Sequence, residues 1–460
     1  MQTSVEAQPA VVARRERAAW LAAGPLLYAA AIPILFIHVD YQPGVHVGFG
    51  STTASAYLSD FAVLAVVVGA LVSAVRLGVT PLRRAWPLWL SGALFLGWIV
   101  VATAYGRSKT PGYDWHTHAV TAAKFLEYSL LAVALPLLIR ERAQLLPTYV
   151  AFTVWSALAT AVGVAQFFGA NIFFVGAVGH RQASFTGFHD LAALSGATLL
   201  LGAVSLLWPH LGLNRWLGWL AVVSGGIGVV VAGAVAGLFG VLTAAAALLV
   251  VLALRGELRL RRLTAAAAVL VVVTVGIVAV RGSDLTTFAR FLGSDEGRTE
   301  QPSTKVQTYA HRTLLGYIGL RIFLDHPVLG VGWEGSAEPG TFVRYLPAAH
   351  RRFPTEPPLA FPSPTRRYGV QDLYVQALAD MGVVGFAFLM ALFGSGLLLA
   401  GRAAVARVTS SAALVGVAWI CLLLWLWTAE GLVAGIPLDA LTWIAFGLAA
   451  AAAAWRAARA

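Results

Sequence analysis

Apolar residues in this chain come in long unbroken blocks, not at the spacing of an amphipathic helix or strand. A helix that crosses a bilayer needs roughly 20 mostly apolar residues. Blocks of about that length fall at 18–38, 57–76, 86–104, 121–139, 147–168, 187–208, 216–233, 237–254, 264–281, 373–400, 410–428 and 438–455. The segment AGAVAG, at 232–237, is a poor helix stretch and fits a tight turn, so 216–254 also reads as one broken hairpin. A single long polar stretch, 282–370, interrupts the series. The pattern predicts an all-α fold: a polytopic integral membrane helical bundle of about twelve transmembrane helices with one large external loop. The expected layout is an N-terminal tail (1–17), nine spans with short loops (18–281), the large loop with short helices (282–370), three more spans (371–455) and a short C-terminal tail (456–460).

Composition agrees. Hydrophobic residues make up 59% of the 460 residues and charged ones 12%, against roughly 25% charged in soluble domains. Mean hydropathy is +0.77. The net charge of +11 would suggest nucleic acid in a soluble protein, but here the arginines sit at block ends and no nucleic-acid motif is present. Counting alternate connections, about seventeen basic residues fall on one side (Arg14, Arg15, Arg17, Arg76, Arg83 and Arg84 among them). The short loops of the other side hold three, Arg107, Lys109 and Arg181. By the positive-inside rule both termini are expected in the cytoplasm, with 282–370 outside, in a periplasm or cell-wall space. The lone cysteine, Cys421, lies in an apolar block and offers neither an intramolecular disulfide nor a thiol metal site.

Against this background the polar residues near the outer block ends stand out. His116 and His118 are two apart, but no carboxylate completes a metal site, so a solvated loop is expected. Lys124 and Glu127, three apart in the fourth block, pair on one helix face or line a substrate cavity. Arg181 stands next to His180 in GHRQASFTGFHDLAALSGA, with His189 and Asp190 opening the next block. An arginine at a membrane surface either clamps a phosphate with two N–H groups or snorkels. In the loop, Tyr309–Leu324 predicts a helix ended by Pro327. Arg312 and Arg321, nine apart, lie about 180° apart around it. Gly330 and Gly332 form a turn that lets backbone approach a ligand. Asp372, Gln376 and Asp380 are four apart and share one face of the re-entering helix. Asp380 falls about 12 Å deeper than Asp372 along that helix.

Three stretches together resemble the O-antigen ligase and polymerase superfamily of bacterial envelope glycosyltransferases. They are HRQASFTGFHDLAA before a span, RTLLGYIGLRIFLDHPVLGVG in the loop, and QDLYVQALADMGVVG opening the span after it. The resemblance covers roughly 120–400. It implies transfer of a glycan from a polyprenyl-diphosphate carrier to an acceptor hydroxyl, on a glycolipid or a growing polysaccharide, by an inverting, metal-independent reaction without a cofactor. It also implies that external arginines hold the diphosphate. These carry over as Arg181 and Arg312, with Arg321 at a position that the pattern leaves free.

Two positions depart from the pattern. Gln371-Asp372 stands where His-Asn is usual, and Ala234-Val235 where Ser-Arg is common. Glutamine is no general base. Asp372 is then the expected base, a weak one, since a carboxylate at a helix start is held as the anion by the helix terminus and by Arg366 or Arg367 nearby. His311, His189 and His326 are further candidates, and Gln376, Asp380 and Lys124 supporting residues. The rival readings are a transporter or flippase of lipid-linked saccharide, or a shape- and division-type peptidoglycan polymerase. A transporter predicts matched inverted halves, which the chain does not display.

Overall fold

The computed structural model describes residues 7–173, 176–207, 214–293, 308–406, 435–436 and 440–457. It is nearly all helical. The long helices are α1 (Ala7–Leu35), α2 (Leu58–Leu77), α3 (Trp86–Lys109), α4 (Trp115–Leu138), α5 (Leu146–Phe167), α6 (Phe188–Leu207), α7 (Arg215–Ala232), α8 (Val235–Leu254) and α9 (Leu260–Gly293). Then come α10 (Thr308–Asp325), the short α11 (Pro339–Phe342) and α12 (Leu346–Arg352), α13 (Leu373–Val405) and α14 (Ala440–Ala457). Among the described residues nine helices are long and apolar enough to cross a membrane, and Leu21–Leu35 and Ala440–Trp455 are shorter apolar helices. The block expected at 410–428 lies outside the described residues.

Successive helices alternate in direction. One end of the bundle therefore gathers the α1–α2, α3–α4, α5–α6 and α7–α8 connections and the segment between α9 and α13; we call it the loop face. On α2, Leu64, Val68, Leu71 and Val75 are exposed at helical spacing, while Val63, Val66 and Ala70 are buried. The exposed stripe suits lipid and the buried one the bundle. Small residues bring α6 and α7 together: a Cβ added at Gly225 would lie 2.6 Å from the Ser195 carbonyl oxygen. The turn expected at AGAVAG is present. Gly233, at φ 57°, takes the left-handed conformation that ends α7, and its N–H reaches the Val229 and Val230 carbonyls.

Two features differ from the sequence expectation. The α1–α2 connection is a β-hairpin, β1 (Gly44–Phe49) paired antiparallel with β2 (Thr52–Tyr57). Gly50, at φ 59°, supplies the positive φ that a two-residue hairpin turn needs. The second is a break in α13. Gly382 is non-helical (φ 64°, ψ −172°), so a short helix, 373–381, precedes a longer one, 383–405. At 1.5 Å per residue the latter alone is about 34 Å long, enough to span. The break receives the turn after α10. Val383 N–H donates to the Pro327 carbonyl at 2.8 Å, and Gly332 N–H to that of Asp380 at 2.8 Å. Gly330 and Gly332 thus serve a backbone-to-backbone fit, in place of the ligand approach expected from sequence. A Cβ at Gly332 would meet the Gly106 Cα at 2.5 Å.

The segment between α10 and α13 has an apolar core of its own. Leu314, Leu315, Ile318 and Ile322 of α10 pack with Val331, Phe342, Tyr345, Ala349, Phe353, Phe361 and Ala379. This cap fixes α10, and with it Arg312, against the loop face.

Candidate active site at the loop face

The site begins with a loop that its own side chains hold rigid. Between α5 and α6, Gln182 N–H donates to the Val231 carbonyl at 2.9 Å and ties the segment to the end of α7. The buried Gln182 amide bonds back to Gly176, Ala177 and His180. Ser184 N–H donates to the buried Gln166 Oε1 at 2.8 Å. Arg181 projects from this frame, its guanidinium 4.5 Å from the Phe188 ring centroid. One residue further on, His189 occupies the first turn of α6, exposed.

Arg312, in the second turn of α10, faces the same point. Its Nε donates to Gln371 Oε1 at 3.1 Å, and its Nη2 lies 3.4 Å from His189 Nε2. Arg312 and Arg181 are both within electrostatic range of the His189 ring. A third arginine lies beside Arg181. Arg281 of α9 is 5% exposed. A Cβ at Gly233 would lie 2.9 Å from Arg181 Cβ and 3.4 Å from Arg281 Cδ. Arg181 and Arg312, from distant parts of the chain, thus approach one histidine, and the Arg281 side chain meets that of Arg181 at the Gly233 turn. In sequence Arg281 looked like the polar end of an apolar block, and its only signal was an arginine at the outer end of a span. A focus of positive charge with planar two-pronged donors suits a phosphate or diphosphate.

The structure does not bring every candidate here. Arg321 is exposed, on another side of α10, 6.0 Å from the Tyr317 ring centroid. His326 follows the far end of α10, about 21 Å along the axis from Arg312. His311 neighbours Arg312, but its ring packs edge-on against Tyr368 at 4.7 Å and its Nε2 is buried. Burial and the Arg312 charge push His311 below its ordinary value.

Asp372 caps the start of α13. Its Oδ1 accepts from Tyr374 N–H at 3.0 Å and Val375 N–H at 2.9 Å. The low pKa expected for it is not found: burial pushes its carboxyl above the ordinary 3.8 and outweighs those two amide bonds. The arginines expected beside it are engaged elsewhere. Arg367 pairs with Glu338 at 3.4 Å, and Arg366 donates to the Pro358 carbonyl at 3.4 Å.

The remaining polar candidates tie elements together. Gln376 Oε1 accepts from Ile436 N–H at 2.6 Å. The fully buried Asp380 accepts from Ser336 N–H at 2.8 Å. Lys124 pairs with Glu127 at 3.8 Å and, closer, with Asp60 of α2. His116 and His118 belong to the first turn of α4 and form no solvated loop. His118 is buried, with Nε2 2.7 Å from Glu338 Oε1 and Nδ1 3.4 Å from Glu334 Oε2. His116 meets Ser51 of the hairpin turn at 3.1 Å. Among the described residues no group of three or more His, Cys, Asp or Glu side chains is placed to hold a metal ion.

Residues 220–390 match a family model described as O-antigen ligase. The matched stretch runs from α7 to the first part of α13 and contains Arg281, Arg312 and Gln371. It is narrower than the resemblance seen in the sequence and leaves Arg181 and His189 outside. No curated protein matches the chain.

Proposed function

We propose, for a chain whose residues 220–390 carry an O-antigen ligase domain, that it transfers a glycan from a polyprenyl-diphosphate carrier to an acceptor hydroxyl at the loop face. The observation that carries this reading is the approach of Arg312 and Arg181 to His189, with Gln371 on Arg312 and Arg281 next to Arg181 at the Gly233 turn. Breaking the bond between an anomeric carbon and a diphosphate leaves negative charge on the leaving group. Guanidinium groups already fixed in place stabilise that charge without reorganising. In this reading Arg181 and Arg312 hold the diphosphate and Arg281 reinforces them. The polyprenyl chain lies in the bilayer beside the bundle, and the acceptor is the end of a glycan or a glycolipid. The chain resides in the bacterial plasma membrane, with the loop face outward and both termini in the cytoplasm.

The test is reconstitution of the full chain in liposomes with a polyprenyl-diphosphate-linked oligosaccharide and a saccharide acceptor. Formation of a new glycosidic bond with release of polyprenyl diphosphate is the expected result. Movement of the carrier between leaflets with no new bond would instead make the protein a flippase. Arg312→Lys keeps the charge and loses the planar fork. It is expected to cut transfer at least ~10-fold, about 1.4 kcal/mol.

A further inference from the structure

The Arg312 guanidinium presents two N–H groups along one edge, from Nε and Nη2, and both are turned to neighbours. Nε donates to the amide oxygen of Gln371, and Nη2 faces Nε2 of His189 at 3.4 Å. A guanidinium has donors only and no lone pair to offer. The facing nitrogen of His189 is therefore the acceptor in this contact: Nε2 carries its lone pair, and the ring proton sits on Nδ1. The neighbouring guanidinium charges disfavour a second ring proton, so the resting imidazole is neutral with its lone pair in place, and the negative charge of a bound diphosphate offsets those cations when a proton has to be taken up. No other histidine of the chain's described residues has this placement. His311 has its Nε2 buried, and His326 sits at the far end of α10.

We propose that His189 is the general base of the transfer. The inference rests on the glycosyl-transfer reading above. The edge of Arg312 that holds Gln371 and His189 is also an edge suited to grip a phosphate with two parallel bonds. Binding of the carrier diphosphate draws that edge away from His189 and frees Nε2 toward the acceptor. The acceptor hydroxyl oxygen then bonds to the anomeric carbon of the donor glycan. The bond from that carbon to the diphosphate oxygen breaks, its electron pair leaving with the polyprenyl diphosphate. The hydroxyl proton passes to Nε2 of His189 and is later returned to water. Gln371 cannot take that proton; it orients Arg312 and stays a positioning residue. Asp372, with Oδ1 bonded to two helix amides, caps the start of α13.

His189 is solvent-exposed, so His189→Gln is expected to fold, checked by an unchanged melting temperature, with His189→Asn as a second variant. The measurements are donor binding and transfer rate for the full-length protein in liposomes, with a polyprenyl-diphosphate-linked oligosaccharide as the probe. A positioned base contributes about 100-fold or more. The expected result is a loss of that size in kcat, with donor binding unchanged within a few-fold. The double variant His189→Gln/Gln371→His, which returns an imidazole to the same guanidinium, is expected to recover part of the rate. Near-wild-type kcat in either single variant, or a loss that falls wholly on donor binding, overturns the assignment and leaves the transferase reading standing. Absence of transfer by the wild-type protein overturns both.

Discussion

At Asp372 burial and hydrogen bonding oppose each other. Two backbone amides of α13 bond its Oδ1 and favour the anion, while burial disfavours it and wins, so the carboxyl is raised above 3.8. A carboxyl raised in the folded state binds its proton more tightly folded than unfolded. Its ionisation therefore lowers stability once the pH passes the unfolded value, and the cost vanishes below it. Asp372→Asn keeps a capping oxygen and removes the ionisation. This variant is expected to be at least as stable as wild type at pH 7, the advantage fading toward pH 3.8. Asp372→Ala removes the cap and the ionisation together, so it is expected to lose about 1 kcal/mol below pH 3.8 and less than that at pH 7. Thermal unfolding of the purified protein at several pH values reads both, and a clearly less stable Asn variant at pH 7 would contradict this balance. The residues of the site were unequally legible. Arg181 and Arg312 announced themselves through the stretches around them. The low pKa expected for Asp372 failed because a sequence shows that a residue starts a helix but not how deeply its side chain is buried. Arg281 was missed because an arginine ending an apolar block has the same appearance whether it meets water or, as here, the Gly233 turn and the Arg181 loop.

Among the elements, the cap built on α10 depends on how it is fastened to the bundle. His118 of α4 has a carboxylate at each ring nitrogen, Glu338 on Nε2 and Glu334 on Nδ1. Carboxylates only accept, so both ring nitrogens donate. Burial pushes the Glu338 carboxyl up, but the bonds from His118 and from Asp114 N–H prevail and its net shift is downward from 4.5. A depressed carboxyl contributes stability above its unfolded value and loses it as the pH falls through its folded value. The cap is therefore expected to loosen in acid, below about pH 4.5. Glu338→Gln is expected to loosen it at neutral pH, by about 1–3 kcal/mol, and to flatten the acid dependence. Hydrogen–deuterium exchange over residues 333–345 measures this, and equal protection in wild type and variant at pH 7 would contradict it. The helices themselves were plain in the sequence, because a spanning helix declares itself by about twenty apolar residues in a row. The hairpin was not. Its alternation, Val45-His46-Val47-Gly48-Phe49, is five residues long, and the long apolar blocks on either side outweigh it. The break at Gly382 was equally hidden, since Met381-Gly382-Val383 reads as uninterrupted helix until the Pro327–Gly332 turn is seen to bond into it.

On the scale of the whole molecule, the two ends of the bundle use arginine differently. At the loop face Arg181 and Arg312 turn toward His189, and Arg281 packs beside Arg181 at the Gly233 turn. At the opposite end arginines finish helices. The Arg140 guanidinium takes the carbonyls of Ser73, Leu77 and Gly78 at the end of α2. Arg255 takes those of Ala404 and Ala406 at the end of α13. Cations at helix C-termini meet the negative end of the macrodipole. The same residues make this end rich in short basic connections, the composition that holds a membrane face in the cytoplasm. The two roles do not compete, because a side chain that caps a helix at the membrane surface also keeps its charge there. The orientation that follows is testable in a Cys421→Ser background, which has no other thiol. Thr365→Cys, exposed in the cap, is expected to react with a membrane-impermeant thiol reagent in intact cells whose outer barrier admits it. Arg259→Cys, exposed between α8 and α9, is expected to react only after the membrane is opened. The reverse pattern would put the arginine site on the cytoplasmic side. There it would meet carrier lipids before their export, and a transferase of exported glycans would no longer be a tenable reading.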